Sequence, residues 1–150
     1  MCESSVLILA GGRGTRLASV TGQNLPKVLV SVNSKPFLWY KLKSLENQGF
    51  RNIWIAAGYQ SEQILAFVKA VENQFRFDSL TVVSDGTNQL GTGGAVKNCL
   101  SKLPPRFFVT YGDSIVNVPA NALIDTFLSC AGLFAVMAVC RTSSSNCQLS

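Results

Sequence analysis

The 150-residue chain contains no histidine. The side chain that most often serves as a zinc ligand or as a proton shuttle near neutral pH is therefore missing. Its five cysteines, Cys2, Cys99, Cys130, Cys140 and Cys147, are scattered and form no Cys-x-x-Cys pair. That spacing argues against a zinc site and against a disulfide framework, and the thiols read as buried or incidental. Charged residues make up only 14% of the chain. The net charge of +5 is dispersed, with no block of five or six cations and no aromatic–basic interleaving of the kind that reads RNA. A small anionic substrate suits this balance better than a nucleic-acid polymer. No apolar run approaches the roughly 20 residues of a membrane span, and the start of the chain lacks the pattern of a signal peptide. The expected compartment is the cytoplasm, with no membrane partner. Internal repeats are absent, and the one biased stretch is the short serine cluster in "RTSSSNCQLS".

What is present is a chain with 47% apolar residues, long enough to bury a core and short enough to form one domain. Apolar segments of two kinds alternate along it. Strands are expected at Val6–Ala10, Asn52–Ala57, Leu80–Val83, Phe107–Tyr111 and Leu133–Cys140, with a short extended piece over Lys27–Val32 after Pro26. Helices are expected from Pro36 to Gly49, from a Ser61 cap to about Gln74, over Thr92–Leu103 and over Pro119–Cys130. Strands alternating with helices imply a mostly parallel sheet covered on both faces. In such sheets ligands bind beyond the carboxyl ends of the strands. Four loops follow strands and would gather at that edge: the glycine turn after Ala10, Gly58–Gln60, Asp85–Gly94 and Gly112–Ser114.

The glycine turn carries the first chemical signal. In "VLILAGGRGTRL" a buried strand runs into Gly11, Gly12 and Gly14, interleaved with Arg13 and Arg16. Missing Cβ atoms let the backbone turn sharply and approach a ligand, and the arginines make that ligand anionic. A dinucleotide fingerprint fails because the third glycine would fall at Leu17, or at Val96 for the second candidate. A Walker-type phosphate loop fails because no Gly-Lys-Ser or Gly-Lys-Thr follows.

"LAGGRGTRL" (Leu9–Leu17), "LPK" (Leu25–Lys27), "SKPFLWY" (Ser34–Tyr40), "LGTGGA" (Leu90–Ala95) and "YGDS" (Tyr111–Ser114) follow one another along nearly the whole chain. In that order they resemble the signature of sugar-1-phosphate nucleotidyltransferases, and "LGTGGA" is most similar to the heptose-1-phosphate guanylyltransferase branch. The resemblance implies an α/β, Rossmann-like sheet of the nucleotide-diphospho-sugar transferase type, with helices on both faces. It also implies that the 150 residues are the nucleotide-binding N-terminal portion of a longer, C-terminally incomplete domain. The second metal-binding aspartate and the sugar-binding segment would then lie beyond Ser150. The exposed sheet edge of such a portion leads to an expectation of self-association.

The implied activity joins a nucleoside triphosphate to a sugar 1-phosphate, giving a nucleotide sugar and pyrophosphate. A phosphate oxygen is already ionised near pH 7, so the reaction needs positioning and charge neutralisation rather than a general base, and the missing histidine is no obstacle. By resemblance, Leu9, Ala10, Gly11, Gly12, Gly14, Thr15 and Gly91 bind the nucleotide. Arg16 and Lys27 are catalytic, gripping and neutralising phosphates. Asp113 binds Mg²⁺. Taken singly, Asp113 is also compatible with a simple turn residue, and Gly91, Gly93 and Gly94 with a helix start. The alternative reading is a non-catalytic module that binds a nucleotide or nucleotide sugar.

Overall fold

The structure is a computed structural model that describes residues 5–12, 25–86 and 90–139. The chain divides into two compact units, Met1–Ile115 and Val116–Ser150. The first contains a parallel sheet of four strands: β1 (Ser5–Leu9), β4 (Asn52–Ala57), β5 (Ser79–Ser84) and β6 (Phe108–Tyr111), in the order β5-β4-β1-β6. A small antiparallel hairpin, β2 (Ser31–Val32) and β3 (Lys35–Pro36), lies outside it. Its two-residue turn, Asn33-Ser34, has positive φ at both positions, as a tight hairpin requires.

The central strands form where the chain is apolar on both sides. Val6, Leu7 and Ile8 of β1 and Ile53, Ile55, Ala56 and Ala57 of β4 are fully or almost fully buried. Alternation sends Leu7 and Leu9 to one face, where they pack with Ala56 and Val83 against Ala95 and Cys99 of α3 (Gly91–Cys99). Val6 and Ile8 point the other way, as do their β6 partners Phe108 and Thr110. Onto that face fold α1 (Phe37–Asn47), which reaches Thr110 through Lys41, and Phe50, whose ring meets Phe108 edge-on at 5.1 Å. The chain just beyond α2 (Ser61–Val71) meets α1: Trp39 donates its indole N–H to Gln74 at 3.0 Å. Helices therefore cover both faces, as the alternation of segments predicts. No helix among the described residues is long and apolar enough to cross a membrane.

Several sequence expectations need correction. Lys27–Val32 is not one extended piece, because Lys27–Leu29 forms a 3-10 turn closed by Leu29 N–H donating to the Pro26 carbonyl. Pro26 itself is extended, so it precedes the turn rather than preventing it. Ser61 is the first residue of α2 and not its cap; Gln60 takes that place in a left-handed conformation. In the third helix the α-helical turns end at Cys99, and a 3-10 turn over Leu100–Lys102 completes it.

In the second unit, α4 (Ala120–Ser129) forms as expected but buries no residue. The expected fifth strand does not form over 133–139, and its last residue, Cys140, lies outside the described residues. A strand is completed by ladder partners, and among the described residues this segment has none. Phe134, Met137 and Val139 are instead largely exposed. Of the thiols, Cys99 is buried and Cys130 exposed, while Cys2, Cys140 and Cys147 lie outside the described residues.

Candidate active site

All four strands of the sheet run parallel, so their carboxyl ends share one edge. From β1 the chain moves outward to β4 and β5, then returns to the other side of β1 as β6. The reversal opens a crevice between β1 and β6, which is where open α/β sheets take their ligands. Backbone hydrogen bonds carry the sheet into its loops. Ala10 N–H donates to Ala56 O at 2.8 Å, Asp85 N–H to Ala57 O at 2.8 Å, and Gly112 N–H to Leu9 O at 2.9 Å. These bonds set the glycine turn, the Asp85 loop and the Gly112-Asp113 turn at fixed heights around a cleft of about 670 Å³.

Crowding calls for glycine at positions 58 and 112 beside the cleft. A Cβ on Gly58 would stand 2.9 Å from Gly11 O and 3.0 Å from Gly11 Cα, so the loops after β1 and β4 can touch only backbone to backbone. A Cβ on Gly112 would meet Val28 Cγ1 at 2.8 Å and Leu9 O at 3.0 Å. The first contact seats the Gly11-Gly12 turn. The second sets the carboxyl end of β6 against the 3-10 turn that carries Lys27.

Lys27 and Asp113 meet across the crevice, 86 residues apart in sequence, with Nζ 2.7 Å from Oδ2. Both side chains are more than a third exposed, which leaves the pair open to exchange with ligands. Beneath them lies Lys41, only 3% exposed. Its Nζ donates to Thr110 Oγ1 and to Ser114 O, each at 2.8 Å. Burial lowers its pKa to about 8, and the nearby Asp113 carboxylate opposes that fall. Across the cleft, burial raises the pKa of Asp85, and the Asn98 amide, which donates to its carboxylate at 3.5 Å, opposes the rise.

The cleft gathers Leu9, Ala10, Gly11, Gly12, Lys27, Gly91 and Asp113, the expected site residues that fall within the described chain. Gly14, Thr15 and Arg16 lie outside the described residues, as does Arg13. Sequence reasoning missed Lys41. The signal was available, because position 41 falls three residues after Leu38 and four before Leu45, on the buried face of α1. It also gave no role to Gly58 beyond a loop residue, since the close approach to Gly11 arises only when two strands lie side by side.

A family model described as a MobA-like NTP transferase domain matches residues 6–145. The chain belongs to this family. Among curated relatives it is 36% identical over 121 residues to the mannose-1-phosphate guanylyltransferase catalytic subunit beta of Drosophila pseudoobscura pseudoobscura, a match covering 79% of this chain and 32% of the relative. It is 32% identical over 117 residues to the D-glycero-alpha-D-manno-heptose 1-phosphate guanylyltransferase of Campylobacter jejuni, covering 78% of this chain and 51% of the relative. Among solved structures, HddC from Yersinia pseudotuberculosis complexed with GMP-PN superimposes with a TM-score of 0.69 at 34% identity, over 83% of this chain and 54% of HddC. The chain thus spans from about a third to about half the length of the family members it matches.

Proposed function

We propose that this domain binds a nucleoside triphosphate in the crevice between β1 and β6 and serves nucleotidyl transfer to a sugar 1-phosphate. The observation that carries the reading is the Lys27–Asp113 pair, an exchangeable cation and anion at the switch point, beside the Gly11-Gly12 turn. A triphosphate bound there would draw Lys27 to its α-phosphate. The sugar phosphate oxygen forms the new bond to the α-phosphorus as the bond to the β-bridging oxygen breaks, and pyrophosphate leaves with that electron pair. Lys27 would neutralise the charge that builds on the α-phosphate oxygens. Arg16 would grip the phosphates from the glycine turn.

Among the described residues no group of three acidic or thiol side chains could enclose a metal ion. Mg²⁺ does not require one, since it is commonly held by one or two carboxylates together with phosphate oxygens and water. The Asp113 carboxylate, exposed at the cleft beside the triphosphate position, fits that mode. When bound, the ion would spread the negative charge of the phosphates.

We take guanine as the base. Two of the relatives are guanylyltransferases, and HddC was solved with a guanine nucleotide analogue. Asp85 supports the choice independently: a carboxylate in a cleft for anions serves the base better than the phosphates. Guanine offers two adjacent N–H donors, which a carboxylate accepts together.

Calorimetric titration with each of the four nucleoside triphosphates in Mg²⁺, followed by pyrophosphate release with mannose 1-phosphate and with the heptose 1-phosphate, tests the reading. GTP is expected to bind most tightly, and Lys27→Ala to weaken it. Equal affinity for all four would remove the guanine assignment. Absence of nucleotide binding would remove the site.

A further inference from the structure

Lys41 occupies a place in α1 where an apolar residue would satisfy the core. It shares the buried face of the helix with Leu38, Leu42 and Leu45. An ammonium in such a position loses its hydration and must be repaid by hydrogen bonds. The bonds it makes are specific. One goes to Thr110 Oγ1 near the end of β6, the other to Ser114 O on the far side of the turn. Between these anchors Gly112 is tied to Leu9 O and pressed against Val28. The turn is therefore held at 110, 112 and 114, and Asp113 projects from it to meet Lys27 in the cleft.

We propose that Lys41 is a positioning residue for Asp113, a buried clamp that keeps the carboxylate in place when Lys27 leaves it for the ligand. The inference rests on the reading of Asp113 as a metal-binding carboxylate. It adds that the turn does not depend on the exchangeable pair for its shape. An exposed ion pair holds its partners weakly, so a turn fixed only by Lys27 would loosen when phosphate competes for that lysine. The buried bonds of Lys41 face no such competitor.

The test uses Mn²⁺ as the probe, titrated into the whole chain with GTP present, for wild type, Lys41→Met, Thr110→Val and Asp113→Asn. Lys41→Met should weaken Mn²⁺ binding about tenfold while GTP affinity without metal stays within about twofold. Thr110→Val, which removes one acceptor and keeps the lysine, should weaken it by a smaller factor, and it decides the matter if Lys41→Met does not fold. Amide exchange of Tyr111–Ser114 without metal should quicken in Lys41→Met, with the β1 amides unchanged. Unchanged Mn²⁺ binding and exchange in both Lys41→Met and Thr110→Val would overturn the clamp. Tighter Mn²⁺ binding in Lys41→Met would overturn it too, since the ammonium would then act only by repelling the metal. Asp113→Asn should abolish the Mn²⁺ response. If it binds Mn²⁺ like wild type, the metal reading of Asp113 fails, and the purpose assigned to Lys41 falls with it even where exchange shows a loosened turn.

Discussion

The two sides of the Asp113 turn use the same residue type in opposite ways. On the cleft side Lys27 meets the carboxylate in a pair more than a third exposed. On the core side Lys41 is almost fully enclosed and bonds to the chain around Asp113. An exposed pair contributes about 0–1 kcal/mol, so a ligand can part it at little cost. A buried ammonium loses its hydration and must be held by the acceptors around it, here Thr110 Oγ1 and Ser114 O, so it stays where it is. Burial, and not residue type, decides which lysine a ligand can reach and which is held in the framework.

The largest effect is expected from Lys27→Ala. Turnover in the pyrophosphate assay should fall about 100- to 1,000-fold, as for loss of a group aimed at developing charge. Stability in urea should change by no more than about 1 kcal/mol. A large loss of stability would make Lys27 framework after all. Asp85→Asn asks the same of the opposite wall. One acceptor for guanine becomes a donor, so the preference for GTP over ATP should fall about 10- to 100-fold in competition binding. Gly58→Ala probes a purely backbone contact. Its Cβ would press on Gly11 O, so the unfolding midpoint should fall by an amount worth about 1–3 kcal/mol.

A further effect is a slope with pH. With the folded-state pKa of Lys41 lowered to about 8 from 10.5, the unfolded chain holds a proton between those values that the folded chain has released. The group's contribution to stability therefore rises with pH through that window and is flat below it. Urea unfolding at several pH values should show the rise in wild type and lose it in Lys41→Met. A slope that persists in the variant would assign it to another group.

Much of the framework could be read from the residues themselves. "NIWIAA" gives β4 as Asn52–Ala57, because an apolar run of strand length between turn residues has few other solutions. The loops named from their position after strands are the loops that line the cleft, because a parallel sheet brings every carboxyl end to one edge. Leu133–Cys140 looked equally strand-like, yet over 133–139 it pairs with nothing among the described residues. Apolarity is a property of a segment, whereas a ladder is a property of two. Lys27–Leu29 went astray for a local reason: the bend that turns the chain after Pro26 leaves no apolar periodicity to detect.

From the sequence alone came the alternation of strands and helices, the glycine turn, and the residue types a phosphate site requires, because these follow from side-chain volume, branching and charge along the chain. Tertiary structure alone set Lys27 against Asp113, pressed Gly58 onto Gly11, and buried one lysine while leaving the other exposed. Each of these joins residues far apart in sequence, and their distances exist only once strand order has been chosen.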